Sequence, residues 1–286
     1  MLNSPIIILG GNGMLGQYLA KTLIDLKPLV WDRNQLDITD PMAVAEKLTN
    51  VQPQIVINAA AYNDVDNAET EEGYKLACRI NAEAPHYLAE VCQKIDSVLV
   101  HYSTDYVFAG TARTGYKETA KPHPQNKYGK SKYLGEKKVL ESKAQAYVIR
   151  TSRLFGKSGK GEMAKKNFVD SMLELAKTKK SIEVVDAEYS SPTYTKDLAD
   201  TTRLILENRS TYQPGIYHIS NKGDCTWYEL VQYLFNQLGI QTELTPITAE
   251  LFSRPAVRPE FSMLLNTKLP ALRSWRESLK EYLAEK

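Results

Sequence analysis

Residues 5–16 read PIIILGGNGMLG, a short apolar run that ends directly in a loop of closely spaced glycines. The run at 5–9 is rich in β-branched side chains, which predicts a buried strand of a parallel sheet. Apolar side chains then recur at three- and four-residue spacing from Met14 to Leu26, which predicts a helix with one apolar face. The glycine loop therefore connects a strand to a helix.

The glycines of this loop are spaced at positions 10, 13 and 16. Glycine permits a tight turn, lets backbone N–H groups approach a pyrophosphate, and lets the helix pack close to the strand. The helix N-terminus adds partial positive charge. A turn without a ligand is the alternative. We expect cofactor contacts here from Gly10, Asn12, Gly13, Met14, Leu15 and Gly16.

Strand and helix patterns continue to alternate along the chain. Strands are predicted near 28–32, 54–58, 97–102 and 146–151, and helices over 41–50, 84–95 and about 127–143. This alternation predicts an α/β fold with a doubly wound parallel sheet, the Rossmann architecture. Beyond 151 we predict helices over 167–178, 197–208, 226–238 and 275–285, and strands over 182–185 and 215–219. The predicted division is a dinucleotide-binding domain over 1–151, with late sheet strands and a small substrate-binding lobe over 152–286.

Composition excludes several classes of protein. The 286 residues are 43% hydrophobic and 24% charged, which supports a folded core and excludes disorder. The net charge of +2 provides no overall positive field, so neither nucleic acid nor a membrane is the expected partner. Cys78, Cys92 and Cys225 form no CxxC pair and have no histidine at metal-ligand spacing, so we expect no metal site. Buried thiols and an N-terminus without a basic leader predict a cytoplasmic protein.

Two residues with opposite charge follow the second predicted strand. The carboxylate of Asp32 is suited to the ribose hydroxyls of NAD, whereas the guanidinium of Arg33 is suited to the 2′-phosphate of NADP. We favour NADPH slightly, and NADH remains possible.

Tyr128 and Lys132 are four residues apart, which places both on one face of a helix. Tyr133/Lys137 and Tyr282/Lys286 have the same spacing, so the spacing alone proves little. Tyr128 differs because it opens the helix after the strand that ends in Thr104. We expect all three side chains at the carboxyl edge of the sheet, where the glycine loop also lies.

These three residue types suit the reduction of a ketone. Hydride reaches carbon while a proton reaches oxygen, so a proton donor must lie against that oxygen. We assign this role to Tyr128, with the Lys132 ammonium favouring the phenolate and holding the nicotinamide ribose. Thr104 orients the carbonyl by hydrogen bonding.

Other polar residues have simpler interpretations. His101 and His218 end predicted strands and are interpreted as buried, hydrogen-bonded histidines. A Gly/Lys-rich stretch contains Lys157, Lys160, Lys165 and Lys166. We interpret it as a solvated loop. The alternative is a loop that closes over substrate phosphates.

Dispersed motifs, taken with these residues, resemble the extended short-chain dehydrogenases and more narrowly the dTDP-4-dehydrorhamnose reductase family. The glycine spacing G-x-x-G-x-x-G at positions 10, 13 and 16 is the one found in short-chain dehydrogenases, in place of G-x-G-x-x-G. The further motifs are NAAAY at 58–62, VDNAE at 65–69, YSTDYVF at 102–108, RTS at 150–152, SPTY at 191–194 and RP at 258–259. The resemblance implies reduction of the 4-keto group of a dTDP-6-deoxyhexulose in rhamnose and cell-surface polysaccharide biosynthesis, and a homodimer is possible.

The resemblance also implies site residues. Catalytic residues are Thr104, Asp105, Tyr128 and Lys132; cofactor contacts include Asp32, Arg33, Asp37, Ile38, Ala60, Ala61 and Tyr62; substrate contacts include Tyr106, Phe108, Arg153 and Arg258. Asp37 is equally interpreted as the approach to the next helix. For Arg258 the alternative is an arginine in a surface loop. Arg153 stands where the family has tryptophan, so it is suited to a diphosphate or carboxylate, and the exact sugar stays open.

Two other functions remain as alternatives. One is a sugar-nucleotide epimerase of the same superfamily, which regenerates its nicotinamide in each cycle. A dehydratase is disfavoured because those enzymes carry Thr-Asp-Glu where this chain has Thr104, Asp105 and Tyr106. The other is a non-enzymatic NADP-binding subunit like the β subunit of methionine adenosyltransferase.

Overall fold

Six parallel strands form the central sheet in the computed structural model, which describes residues 5–160 and 166–286. Their order is β2-β1-β3-β4-β5-β9. The strands in chain order are β1 Ile6–Leu9, β2 Leu29–Trp31, β3 Ile55–Asn58, β4 Val98–Thr104, β5 Gln145–Thr151, β6 Leu154–Phe155, β7 Ser181–Val185, β8 Thr193–Tyr194, β9 Gly215–His218 and β10 Glu243–Ile247. The chain is therefore an α/β protein with the predicted parallel sheet.

Helices cover both faces of this sheet. They are α1 Met14–Thr22, α2 Pro41–Val51, α3 Glu71–Cys78, α4 Ala84–Lys94, α5 Lys127–Glu141, α6 Phe168–Ala176, α7 Thr195–Glu207, α8 Trp227–Leu238 and α9 Trp275–Ala284. Asp40 caps α2, because its carboxylate accepts the backbone N–H groups of Met42 and Ala43. Thr226 and Ser274 form capping boxes at the starts of α8 and α9.

The side chains of β1, which are all apolar, show why helices cover both faces of the sheet. Ile6 and Ile8 belong to the core cluster that includes α1, α7, α8 and α9. Ile7 and Leu9 belong to the cluster formed with α2, α4 and α5. Successive side chains of a strand point to opposite faces, so a strand that is apolar throughout requires helices on both sides.

The second half of the chain contributes strands to three sheets. Strand β9 pairs with β5 in the central sheet, while β7 pairs with β10 in a separate two-stranded sheet. Strands β6 and β8 form a further parallel pair. The predicted strand at 182–185 therefore lies outside the central sheet, and the division at residue 151 stays a prediction.

Several elements differ from the sequence predictions. The first helix ends at Thr22 and is followed by a short 3-10 turn over Ile24–Leu26. Helix α3 was not predicted, and a π-helical turn over Arg79–Glu83 joins it to α4. Strands β6, β8 and β10 were also not predicted, since the first two have only two residues each and β10 alternates little.

Candidate active site

The glycine loop after β1 is built by close backbone approaches. Gly10 has φ +75°, and a Cβ added to it would lie 2.7 Å from the backbone nitrogen of Ala60. A Cβ on Gly16 would lie 2.2 Å from the carbonyl oxygen of Gly10. Glycine is required at both positions, because no side chain can be accommodated without moving backbone.

The start of α1 leaves N–H groups directed at this loop. Gly13 is the N-cap of α1 and provides no side-chain cap, while its own N–H donates to the Gly10 carbonyl at 2.9 Å. The first N–H groups of a helix have no acceptor within the helix. The residues therefore fit a dinucleotide pyrophosphate, which accepts such hydrogen bonds and carries the complementary charge. Leu15 is buried in the core, so it contributes only its backbone here.

The residues after β2 form two polar contacts. The Asn12 amide donates to the Asp32 carboxylate at 2.6 Å, so Asp32 lies against the glycine loop. Arg33 pairs with Asp37 at 3.2 Å, and its side chain is 85% exposed. Burial raises the pKa of Asp37, but hydrogen bonds from Thr39 and Arg33 outweigh it and lower that pKa below the ordinary value.

Ile38 is buried among core side chains next to this segment, so its side chain packs inward. A cofactor contact from Ile38 would therefore come from its backbone.

Asn81 holds the segment after β3, where Ala60, Ala61 and Tyr62 are half-buried. Its side chain accepts the Tyr62 N–H at 2.9 Å and donates to the Tyr62 carbonyl at 3.0 Å. The same amide donates to the Ser131 hydroxyl of α5 at 3.0 Å. Sequence reasoning missed Asn81, and its signal was weak because one asparagine in a helical region usually lies on the surface.

Thr104 and Tyr128 meet at the carboxyl edge of the sheet. Thr104 ends β4, and Tyr128 is the second residue of α5, whose N-cap is Asn126. The phenol of Tyr128 is buried and donates to the Asn63 side chain at 3.4 Å. Burial and the nearby Asp105 charge raise the pKa of Tyr128, while a hydrogen bond from Thr104 acts in the opposite direction.

Lys132 lies one helical turn beyond Tyr128 and is buried. Its ammonium donates to the backbone carbonyl of Tyr102 in β4 at 2.6 Å. Burial lowers the pKa of Lys132 to about 8, although the charge of Glu136 acts to raise it. Burial and Asp105 dominate the pKa of Tyr128 in this structure, and the Lys132 ammonium is directed at the Tyr102 carbonyl. The effect of Lys132 on the phenol stays a prediction.

Asp105 is a buried carboxylate surrounded by hydroxyl groups. It accepts hydrogen bonds from Thr104 at 3.0 Å, from Ser190 at 3.0 Å and from Ser262 at 2.6 Å. Burial raises the pKa of Asp105, and these hydrogen bonds partly offset that effect. Asp105 therefore joins the end of β4 to two segments of the second half of the chain.

The two aromatic residues assigned to the substrate differ in position. Tyr106 is half-buried and lies edge-on to the Tyr128 ring, with 5.9 Å between ring centroids. Phe108 is fully buried, stacks on Tyr116 at 4.2 Å and lies under the Arg150 guanidinium. The geometry favours a packing role for Phe108 over substrate contact.

Arg153 lies close to Asp105 and Tyr106 and is held by backbone carbonyls. Its guanidinium donates to Cys225 at 2.8 Å and Glu188 at 2.6 Å, and it stacks over the Trp227 ring at 4.0 Å. Burial lowers the pKa of Arg153, and the charge of Asp105 acts to raise it. The backbone of Arg153 is left-handed, with φ +42°.

Arg258 is paired rather than a free surface arginine. Its guanidinium makes a bidentate ion pair with Asp66, at 2.5 and 2.7 Å, and only 10% of its side chain is exposed. The contact joins the 65–69 motif to the 258–259 motif. Three of the five N–H donors of Arg258 are used by Asp66 and the Ala256 carbonyl, which leaves two for a substrate diphosphate.

His101 and His218 lie in the core. His101 is hydrogen-bonded to Asn58 at 3.3 Å, and His218 is 3.4 Å from Arg150 and 3.2 Å from the Leu265 carbonyl. Burial lowers the pKa of His218 to about 4. Within residues 5–160 and 166–286, no cluster of three or more His, Cys, Asp or Glu side chains is arranged to hold a metal.

Over those same residues no helix is long and apolar enough to cross a membrane. Cys92 and Cys225 are buried thiols, and Cys78 is half-buried. Lys165 lies outside the described residues.

Comparisons with known proteins place the chain in a family. The model of the RmlD substrate binding domain matches residues 4–286. A probable dTDP-4,6-dihydroxy-2-methyloxan-3-one 4-ketoreductase of Streptomyces antibioticus is 40% identical over 284 residues, covering 96% of this chain and 93% of that protein. A dTDP-4-dehydrorhamnose reductase of Streptomyces griseus is 37% identical over 286 residues, covering 96% and 91%.

A solved structure agrees. The crystal structure of dTDP-4-dehydrorhamnose reductase from Bacillus anthracis in complex with NADP superposes with a TM-score of 0.91 at 35% identity, covering 99% of both chains. The sequence match and the structural match both extend over nearly the whole chain. This chain therefore belongs to the dTDP-4-dehydrorhamnose reductase family.

Proposed function

We propose that this protein reduces the 4-keto group of a nucleotide-linked 6-deoxyhexulose, converting dTDP-4-dehydro-L-rhamnose to dTDP-L-rhamnose with NADPH. The observation that carries the proposal is the position of Thr104, Tyr128 and Lys132 at one edge of the sheet, beside the glycine loop. The reductases that match almost the whole chain support the same reaction.

The cofactor site is formed by the loop after β1 and by the ends of β2 and β3. The N–H groups at the start of α1, with the backbone of Gly10 to Gly16, hold the pyrophosphate. Asp32 and Arg33 would bind the adenosine ribose, Asp37 and the Ile38 backbone would contact the adenine, and Ala60, Ala61 and Tyr62 would line the cleft. NADPH supplies the hydride when bound, and the NADP complex of the Bacillus anthracis reductase supports this choice.

The protein delivers the proton. As the C4 carbonyl carbon gains hydride, its oxygen becomes an alkoxide that must be protonated. Tyr128 donates that proton, because its phenol is protonated near neutral pH. The Thr104 hydroxyl has a single proton, which it donates to Asp105 in this structure. Turning that proton away from Asp105 lets Thr104 donate a hydrogen bond to the substrate oxygen instead.

Lys132 holds the nicotinamide ribose with protons not used by the Tyr102 carbonyl. Tyr106, Arg153 and Arg258 contact the substrate. Arg153 uses two of its five N–H donors on carbonyls, which leaves donors for a sugar or diphosphate oxygen. Turnover of a panel of nucleotide ketosugars identifies the sugar.

Two finer expectations accompany this function. A cytoplasmic location is supported by the buried thiols Cys92 and Cys225, which suit a reducing compartment.

A homodimer is the second expectation, and sedimentation velocity of the purified protein tests it. An epimerase predicts tightly copurifying NAD, and a regulatory subunit predicts a second polypeptide without reductase activity.

Tyr128→Phe tests the reaction directly. The change removes the proton donor and keeps the ring, so we expect kcat to fall by roughly 10²- to 10⁴-fold with cofactor affinity retained. The assay follows NADPH oxidation with dTDP-4-dehydro-L-rhamnose. Tyr133→Phe is the matched control, because Tyr133 has the same spacing to a lysine in the same helix. Wild-type protein that fails to oxidise NADPH with this ketosugar would refute the proposal.

A further inference from the structure

A segment from the second half of the chain lies against the glycine loop. In the segment 156–160, the N–H of Lys160 donates to the Asn12 carbonyl at 2.9 Å. The Gln17 side chain of α1 donates to the Ser158 carbonyl at 3.0 Å. Lys157 and Lys160 of this segment therefore lie beside the glycine loop, and not in a loop that contacts only solvent.

A cavity of about 620 Å³ lies between this segment and α1. Gly11 and Asn12 line it on the loop side, and the side chains of Lys21, Lys157 and Lys160 provide three ammonium groups. Glu285 also lines the cavity, but its carboxylate accepts hydrogen bonds from Tyr194 and Tyr18 and lies 3.8 Å from Lys196. The surroundings of Gly11 and Asn12 are therefore positively charged and suited to an anion.

Positive charge is needed near the end of β2 to offset the carboxylate of Asp32. Asp32 is held to Asn12 at 2.6 Å, so its carboxylate lies beside the same loop. A phosphate monoester on the adenosine ribose would meet that negative charge. Arg33 is the nearest arginine in sequence, but its Nε and Nη2 are directed at Asp37. Further cations are needed to make phosphate binding favourable.

We propose that Lys157 and Lys160 bind a phosphate monoester, the 2′-phosphate on the adenosine ribose of NADPH. The inference rests on the proposed function for its cofactor, and it names residues from the opposite half of the chain that act together with Arg33 to distinguish NADPH from NADH. Two ammonium groups on flexible stems can reach a phosphate beside Asn12 and offset Asp32.

The test measures binding without the ketosugar. The probes are adenosine 2′,5′-bisphosphate and adenosine 5′-monophosphate, with NADPH and NADH as the complete cofactors, each titrated by calorimetry. For the double variant K157A/K160A we expect affinity for the bisphosphate and NADPH to fall by about tenfold or more, with the monophosphate and NADH changed by less than about twofold. The matched control is K179A/K180A, two exposed lysines of the same half of the chain.

Three outcomes overturn the proposal: equal losses for both nucleotides, losses of the same size in K179A/K180A, or unchanged cofactor affinities with a raised KM for the ketosugar. The last result would assign the lysines to the substrate diphosphate. Lys160→Glu provides a second variant, for which a larger loss of NADPH affinity than in Lys160→Ala is expected. Failure of the reductase assay with intact, lysine-dependent bisphosphate binding would refute the proposed function and leave this inference standing.

Discussion

The charge of Lys132 depends on its burial in the active site. Its ammonium is buried against the Tyr102 carbonyl, and burial lowers its pKa to about 8. Burial raises the pKa of the neighbouring Tyr128 instead. As pH rises, Lys132 therefore loses its proton first, while the Tyr128 phenol keeps the proton that it donates.

The pH dependence of turnover follows from this order. We expect kcat to fall as pH rises through about 8, because the ammonium that holds the ribose becomes a neutral amine. Lys132→Arg keeps its charge to a much higher pH, so its turnover should be lower at neutral pH but should lose this alkaline decline. The measurement is kcat against pH with saturating NADPH and ketosugar. An alkaline decline unchanged in Lys132→Arg would assign it to another group.

Arg33 is a second residue whose role is measurable. Its ion pair with Asp37 is exposed, and such pairs contribute about 0–1 kcal/mol, so Arg33 can exchange Asp37 for a phosphate. We expect Arg33→Ala to shift the ratio of NADPH to NADH affinity by about tenfold or more toward NADH. Arg79→Ala is the control, because Arg79 contacts Thr39 in the same region. Equal loss of both affinities would show that Arg33 does not distinguish the cofactors.

At the scale of elements, α5 is fixed to β5 by one buried ion pair. Glu136 and Arg150 form two hydrogen bonds, of 2.9 and 2.7 Å, and their side chains are 1% and 2% exposed. Glu136 lies one turn after Lys132 on the same helix. The pair therefore sets the position of the helix that carries the catalytic tyrosine and lysine.

Removing one partner should destabilise the fold. Glu136→Ala leaves Arg150 buried and unpaired, so we expect a loss of about 3–5 kcal/mol in the free energy of unfolding. Glu71→Ala is the control, because its pair with Lys75 is exposed and should cost less than about 1 kcal/mol. Urea denaturation measures both. Similar losses in the two variants would contradict a special role for the buried pair.

At the scale of the whole molecule, the two halves of the chain complete each other. Helix α1 packs against α7, β9 covers the edge of β5, and the segment 156–160 lies on the glycine loop. Asp105 accepts hydrogen bonds from Ser190 and Ser262. The first half alone would expose apolar surface on α1 and an open sheet edge.

The predicted domain 1–151 can be tested as a fragment. We expect residues 1–151 alone to lack a cooperative unfolding transition and to bind no NADPH, because α7 and β9 are missing. Coexpression with residues 152–286 should restore binding. Circular dichroism and calorimetry measure the two properties. A fragment that unfolds cooperatively and binds NADPH would show that 1–151 is an independent domain.

The sequence by itself determined the local parts of the site. The apolar run before Gly10 and the helix after it follow from spacing, because hydrophobic periodicity and glycine geometry act over a few residues. Tyr128 and Lys132 share a helix face for the same reason, and Thr104 ends the strand that precedes their helix in the chain. Asn81 was not predicted, because its role depends on contacts with Tyr62 and Ser131 that no local sequence pattern indicates.

Tertiary structure decided which distant groups meet. The Arg258 pair with Asp66 and the lysines beside Asn12 join residues from opposite halves of the chain. Phe108 became a core residue because Tyr116 stacks on it, and the Lys132 ammonium was directed to Tyr102 by the packing of α5 on β4. Such contacts depend on strand order and helix packing, so their chemistry is readable in the sequence but their pairing is not.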